Sequence, residues 1–385
     1  MARSAMTLRA GDGSGLAAAW VLAAALGLAG PAGAEGGHEH HAPAPAPAGD
    51  LAPDAADMGG AAAAPGAAWE AADRQERAAF ERAYDSARDE RAVFETWLGI
   101  LGPQALLDFV ELRYEQCHHQ AHELGKAIYA RSGDVGRALQ ICGNRCTNAC
   151  MHGVVGEAFG RRSPEEIRAA MSGFCYEGEM AELHKVGNCA HAIGHALMIR
   201  NDHEIGPSLE ACTGFARQGL DYYCATGVYM EYQGLMREKK ARGEAEPRPS
   251  VHFPCDVHTR FSPACYRYNL VDLHFAVGAA ESKVVAECLA LPQPRRRGCF
   301  HGVGAIYSHR IAKRPAMIRE LCLAGGPEDR ILCVEGAVEK LGDFDEALAL
   351  EVCAELEGEL VDVCRAAARE KMYRLDKPSM ALYRE

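Results

Sequence analysis

One short pattern carries most of the chemistry in this chain of 385 residues. It is a cysteine followed two residues later by a polar side chain and three residues later by glycine. Cys150-Met151-His152-Gly153 and Cys299-Phe300-His301-Gly302 are its fullest forms, and Gly227 and Gly336 recur at the same place after Cys224 and Cys333. The second position after such a cysteine is His119, His152, His191 and His301, and elsewhere Thr226, Arg267, Glu335 and Ala366. Two residues along a helix turn the side chain by about 200°, so this position faces away from the cysteine. Stacked helices therefore align these side chains on one surface. His118 and His122, and again His191 and His195, are spaced i,i+4, which puts both imidazoles of each pair on one helix face. Imidazoles so arranged suit a transition metal ion, Zn, Cu or Fe. The candidate ligands are His119, His122, His152, His191, His195 and His301, with Glu123, Glu157 and Glu231 as carboxylates to ligate or orient them. Two other readings stand beside this one. Helix axes lie about 8–10 Å apart, so the same histidines can serve as polar packing between neighbours. They can also act as acids and bases without a metal.

Other chemistries fail on spacing. Covalent haem attachment needs C-x-x-C-H, and the nearest stretch runs Cys146-Thr147-Asn148-Ala149-Cys150-Met151-His152. A zincin protease needs H-E-x-x-H, which His118-His119-Gln120-Ala121-His122-Glu123 does not supply. There is no G-x-S-x-G and no P-loop, so neither haem nor a nucleotide cofactor is indicated. Whether the chain is an enzyme is left open by its residues.

The elements that must hold these residues are helices in pairs. Each unit reads as a first helix ending in cysteine, as in SPEEIRAAMSGFC and DFDEALALEVC, then a polar turn. A second helix then opens on a cysteine: CMHGVVGEAF, CAHAIGHALM, CATGVYMEYQ, CFHGVGAIY. Ser163-Pro164-Glu165-Glu166 is a capping box with proline at the first helical position. The leading cysteines recur at intervals typical of helix-pair repeats. No segment alternates with period two. The expected fold is all-α, a disulfide-stapled array of seven or eight helix pairs, either an α/α superhelix or a closed toroid.

The sixteen cysteines pair by proximity along the chain: Cys142 with Cys150, Cys175 with Cys189, Cys212 with Cys224, Cys255 with Cys265, Cys288 with Cys299, Cys322 with Cys333, and Cys353 with Cys364. Cys117 and Cys146 remain and are paired with each other. A bridge across a helix–helix corner fits the Cα separation of about 5.5 Å that disulfides prefer. The glycines at the third position let one helix approach the next closely.

An even, regular cysteine set is a disulfide framework only in an oxidising compartment. The N-terminus supplies the route there. Arg3 and Arg9 precede the apolar run LAAAWVLAAALGLAG, and Ala32-Gly33-Ala34 forms an A-x-A cleavage site. Residues 1–34 read as a signal peptide and the protein as periplasmic or secreted, with no membrane span after cleavage. Residues 35–67, rich in Ala, Pro and Gly and carrying His38, His40 and His41, read as a disordered linker. Residues 68–385 then form the repeat domain, interrupted by an exposed charged insert at 236–254. The formal charge of −12 argues against nucleic acid as a partner.

The paired, cysteine-closed helices resemble the secreted cysteine-rich members of the Sel1-like and tetratricopeptide-type repeat families, which implies a scaffold with a groove for a protein or peptide partner. The Cys-His-Gly segments at Cys150-Met151-His152-Gly153 and Cys299-Phe300-His301-Gly302 are also similar to those of the α/α-toroid lanthipeptide cyclases. That resemblance implies a ring whose closure brings His119, His152, His191 and His301 toward one mouth around zinc. Two functions are therefore expected in competition: an exported metal-binding protein, with or without catalysis, and a metal-free scaffold.

Overall fold

The computed structural model describes residues 66–383 apart from 115, 116, 216, 218 and 245. The expected signal segment and the linker up to residue 65, with its three histidines, lie outside the described residues. Among the described residues every regular element is an α-helix or a short 3-10 turn, and none is a strand. No described helix is long and apolar enough to cross a membrane. The folded part begins slightly before residue 68, since Ala67 opens the first helix.

Four helices, Ala67–Ala71, Arg74–Ser86, Glu90–Trp97 and Pro103–Arg113, precede the repeats. They close around Phe80, whose ring lies 5.9, 6.4 and 4.8 Å from those of Trp69, Phe94 and Phe109. The aromatic block covers the first face of the array, as a terminal repeat must be covered to keep its apolar side from water.

Eight inner helices then pack side by side in chain order. They are α1 (His118–Ser132), α2 (Ala149–Gly160), α3 (Val186–Arg200), α4 (Leu220–Ala241), α5 (Ser262–Ala276), α6 (Arg295–Lys313), α7 (Pro327–Phe344) and α8 (Glu359–Glu370). The segments GNCAHAIGHALM of α3 and ACMHGVV of α2 are buried residue after residue. A helix buried all round needs apolar or small side chains on every face, and these sequences supply them. The outer helices are shorter and one-sided. Val135–Cys142 buries only Ala138, Leu139 and Cys142, which recur at i, i+1 and i+4.

All eight expected disulfides are present, no cysteine is free, and the Cα–Cα separations run from 5.3 to 5.6 Å. Cys142, Cys212, Cys322 and Cys353 end their outer helices. The partner cysteine does not open its inner helix as the sequence suggested. α7 starts at Pro327, six residues before Cys333, and α4 starts at Leu220, four before Cys224. Each bridge thus clamps the first or second turn of an inner helix. The expected insert is also shorter than its composition implied, because α4 runs on through Met236 to Ala241.

Glycine sets the distance between inner helices. A Cβ on Gly153 would stand 2.1 Å from the His122 carbonyl oxygen, on Gly227 1.9 Å from that of His191, and on Gly336 2.3 Å from that of His301. The reciprocal contacts are made by Gly125 to Cys150, Gly194 to Cys224 and Gly304 to Cys333, each at 2.0–2.1 Å. No side chain fits there, so α1 and α2, α3 and α4, and α6 and α7 lock in the same register.

The chain ends as a strap across the inner surface. Lys185 donates from Nζ to the carbonyls of Glu370 and Met372 at 2.8 and 3.0 Å, and the Tyr223 hydroxyl donates to that of Arg374 at 2.7 Å. Tyr373, Lys377, Ser379, Met380 and Tyr383 are all buried.

Candidate metal centre

The glycine contacts fix which positions are equivalent. His122, His191 and His301 each present a carbonyl to a glycine of the next helix, and each is followed three residues later by the glycine that returns the contact. In α1 the position two residues before His122 is Gln120, not a cysteine. Counting from Cys117 therefore misreads α1 by three residues. His122 occupies the inward position, and His119 is turned outward, 45% exposed, with Nε2 4.0 Å from Glu90.

Curvature brings the first three inner helices around a common centre. His118 and His122 of α1, His152 of α2, and His191 and His195 of α3 lie with neighbouring ring centroids 4.6–5.8 Å apart. His152, His191, His195 and His122 are buried, His152 and His191 completely. Contact skips a helix, since the His122 and His195 rings are 4.6 Å apart across α2. Three groups of side chains have ligand atoms mutually within 4.8 Å and could hold a metal ion: His118, His122 and His152; His152, His191 and His195; and His122, His195 and Glu231.

The hydrogen bonds around the cluster decide where its protons are. The Thr226 hydroxyl donates to the Tyr223 carbonyl at 2.5 Å, so its oxygen accepts from His191 Nδ1 at 2.7 Å. The Glu231 carboxylate accepts from His195 Nδ1 at 2.7 Å. The Thr147 hydroxyl donates to the Cys146 carbonyl at 2.6 Å and accepts from His118 Nδ1 at 3.0 Å. His152 donates from Nε2 to the Asn188 carbonyl oxygen at 2.5 Å, which leaves its buried Nδ1 with no partner. Four neutral imidazoles therefore have their single N–H committed to an oxygen outside the cluster and a bare lone pair inside it. His191 and His195 direct their Nε2 atoms at one another 3.2 Å apart, as do His118 and His122. Two bare lone pairs at that distance repel unless a cation sits between them. Committing the second nitrogen to an oxygen acceptor is also how metal-bound histidines fix their tautomer.

Burial keeps these rings neutral. It pushes His118 down to about 3, and with the neighbouring imidazoles it holds His122, His152 and His191 well below the ordinary histidine range. Burial alone would raise Glu231, but the His195 hydrogen bond and charge, with Lys126, bring it down to about 2. The site thus offers neutral imidazole donors and an ionised carboxylate, the forms that bind metal.

Two expected carboxylates play no part. Glu123 pairs with Lys126 at 2.8 Å and Glu157 with Arg91 at 2.9 Å, so both are neutralised by cations of their own. His301 is also elsewhere. It accepts from Arg267 at 3.2 Å and lies 3.4 Å from Glu339, inside a buried ionic network that includes Glu335, Lys377, Ser379 and Tyr383. Arg267, itself paired with Glu339, occupies the space a metal ion would need beside His301. Inward position alone does not make a ligand; the neighbours decide.

Sequence reasoning passed over His118 as a ligand, although its i,i+4 partnership with His122 was visible. The pattern H-x-x-G at His122, His191 and His301 was a better register mark than the cysteine. Thr147, Asn188 and Thr226 carried no sequence signal of their own as orienting groups.

The fold and site define a disulfide-stapled, all-α helical array with a buried five-histidine cluster. No family model matches the chain, no curated protein matches it, and no solved structure matches it.

Proposed function

We propose that this is an exported metal-binding protein whose histidine cluster takes a transition ion of the zinc, copper or iron type. The observation that carries the reading is the set of four N–H groups committed outward to Thr147, Asn188, Thr226 and Glu231, with bare nitrogens left facing each other. A cluster built only for packing gains nothing from opposed lone pairs, which cost free energy when buried without a donor. Imidazole donors suit zinc, copper and iron, and a three-ligand group leaves a coordination position for a further ligand. That open position is where catalysis would occur. Export is supported by eight disulfides and by the leader-like first 34 residues. Cysteine is excluded as a ligand, since every thiol is bridged.

The scaffold reading, with its resemblance to cysteine-rich repeat proteins, has a specific difficulty. The inner surface a peptide would use is covered by the chain's own strap from Lys371 to Tyr383, fastened by Lys185, Tyr223, Glu335 and Glu339. The deciding experiment is elemental analysis of untagged protein carrying His38→Ala, His40→Ala and His41→Ala, after exposure to Zn, Cu and Fe in turn. Stoichiometric metal that disappears in a His191→Ala, His195→Ala variant supports the proposal. No metal in any form removes it.

A further inference from the structure

We infer that the cluster holds two ions rather than one, a pair of monovalent copper ions, one seated in each i,i+4 histidine pair. This rests on the metal reading above and adds the number and charge of the ions.

The geometry within each pair is that of a chelate. A metal–nitrogen bond of about 2.0–2.1 Å places two ligand nitrogens about 3.3 Å apart in a tetrahedral shell and about 3.5 Å apart in a trigonal one. Both Nε2···Nε2 separations are 3.2 Å. The His118–His122 pair and the His191–His195 pair each meet this requirement without any movement of the other. A single ion serving both pairs would need all four nitrogens at such distances from one another. The groups whose atoms converge are threefold, and none joins His118 to His191. The cluster has two foci, one on α1 and one on α3.

His152 stands between them and belongs to both converging groups. With Nε2–H held by Asn188, it has one bare nitrogen and can complete the shell of one ion at a time. The second ion keeps its two imidazoles. Such an asymmetric pair, one three-coordinate and one two-coordinate, suits a d10 ion of low coordination number.

Charge points the same way. The donors are neutral imidazoles, and the only carboxylate hydrogen-bonded to them is Glu231. Two divalent ions would set four positive charges against one negative charge in a site from which water is largely excluded. Two monovalent ions set two. A buried charge that is not matched is costly, so the lower charge is favoured.

The test is anaerobic Cu(I) titration of the untagged full chain carrying the His38→Ala, His40→Ala and His41→Ala background, against a competing Cu(I) chelator. Two copper ions per chain are expected. The His118→Ala, His122→Ala double variant and the His191→Ala, His195→Ala double variant should each retain one. His119→Ala should retain both. One copper per chain in the parent protein, lost entirely in either double variant, would mean a single shared ion and overturn the inference. So would two ions that survive both double variants. Stoichiometric Zn binding with no Cu(I) binding overturns it while leaving the metal-binding reading intact. Failure to bind any metal removes both. The parent stoichiometry is read without a cluster variant, so the distinction between one ion and two does not depend on the variants folding.

Discussion

Replacing Gly227 by alanine tests whether helix approach and histidine orientation are one structural device. The added Cβ would stand 1.9 Å from the His191 carbonyl oxygen and 2.9 Å from its carbon. Carbon–oxygen contacts between packed helices settle at about 3.3 Å, so α3 and α4 must separate locally by roughly 1.4 Å. Thr226 is the adjacent residue, and its hydroxyl holds His191 Nδ1 at 2.7 Å. The same displacement carries that contact to about 4 Å, beyond hydrogen-bond range. Losing such an outer-shell partner typically lowers metal affinity about 10–100-fold. Overpacking a close-packed core costs about 1–3 kcal/mol, only partly offset by the roughly 1 kcal/mol alanine gains over glycine in a helix. Gly156→Ala is the matched control, because its Cβ would meet only His195 Cβ at 3.6 Å and Ile199 Cδ1 at 3.7 Å, ordinary contacts. That substitution should leave stability unchanged or raise it by about 0.5–1 kcal/mol. The assay is denaturant unfolding with the disulfides intact, paired with metal competition against a chelator. A Gly227→Ala protein equal to the parent in both measurements refutes the reasoning, as does a Gly156→Ala protein that suffers as much.

Further expectations concern other parts of the molecule. His122→Ala should lose metal and His119→Ala should not, measured by elemental analysis; equal loss in both would show that α1 had been placed in the wrong register. Removing one staple by Cys288→Ala with Cys299→Ala should cost on the order of 3 kcal/mol in the chain-entropy account, yet leave metal content unchanged. Thiol titration of denatured, unreduced protein should find none, and several free thiols would contradict the eight bridges. Acid should destabilise the metal-free protein in part through His184, which burial pushes down to about 4 and whose Nε2 has no partner. The unfolded chain binds this proton near pH 6.5 and the native one only near 4, so stability falls as pH drops across that window and levels off below it. The gap of about 2.5 units corresponds to roughly 3 kcal/mol, and His184→Gln should flatten the pH profile of unfolding by that order.

The sequence by itself determined the helical class, the pairing of the cysteines and the inward face, because each depends on neighbours within a turn or two. A bridge such as Cys322 to Cys333 closes a short loop, and its corner geometry follows from local helix ends. Gly153, Gly227 and Gly336 announced close packing because few other roles need glycine inside a helix. The i,i+4 spacing put both imidazoles of His191 and His195 on one face whatever surrounded them. Tertiary structure decided the rest. The register of α1 is set by contacts with α2, and the nearest cysteine in the sequence pointed to His119 instead of His122. His301 shares its position with His191, yet Arg267 from another helix claims it, and no local rule shows which side chain a curved array will bring across. The convergence of His122 and His195 across α2 depends on the curvature of the whole stack, and so does the strap that fills its inner surface. Spacing along a helix fixes which way a side chain faces, whereas what it meets depends on how the helices are stacked.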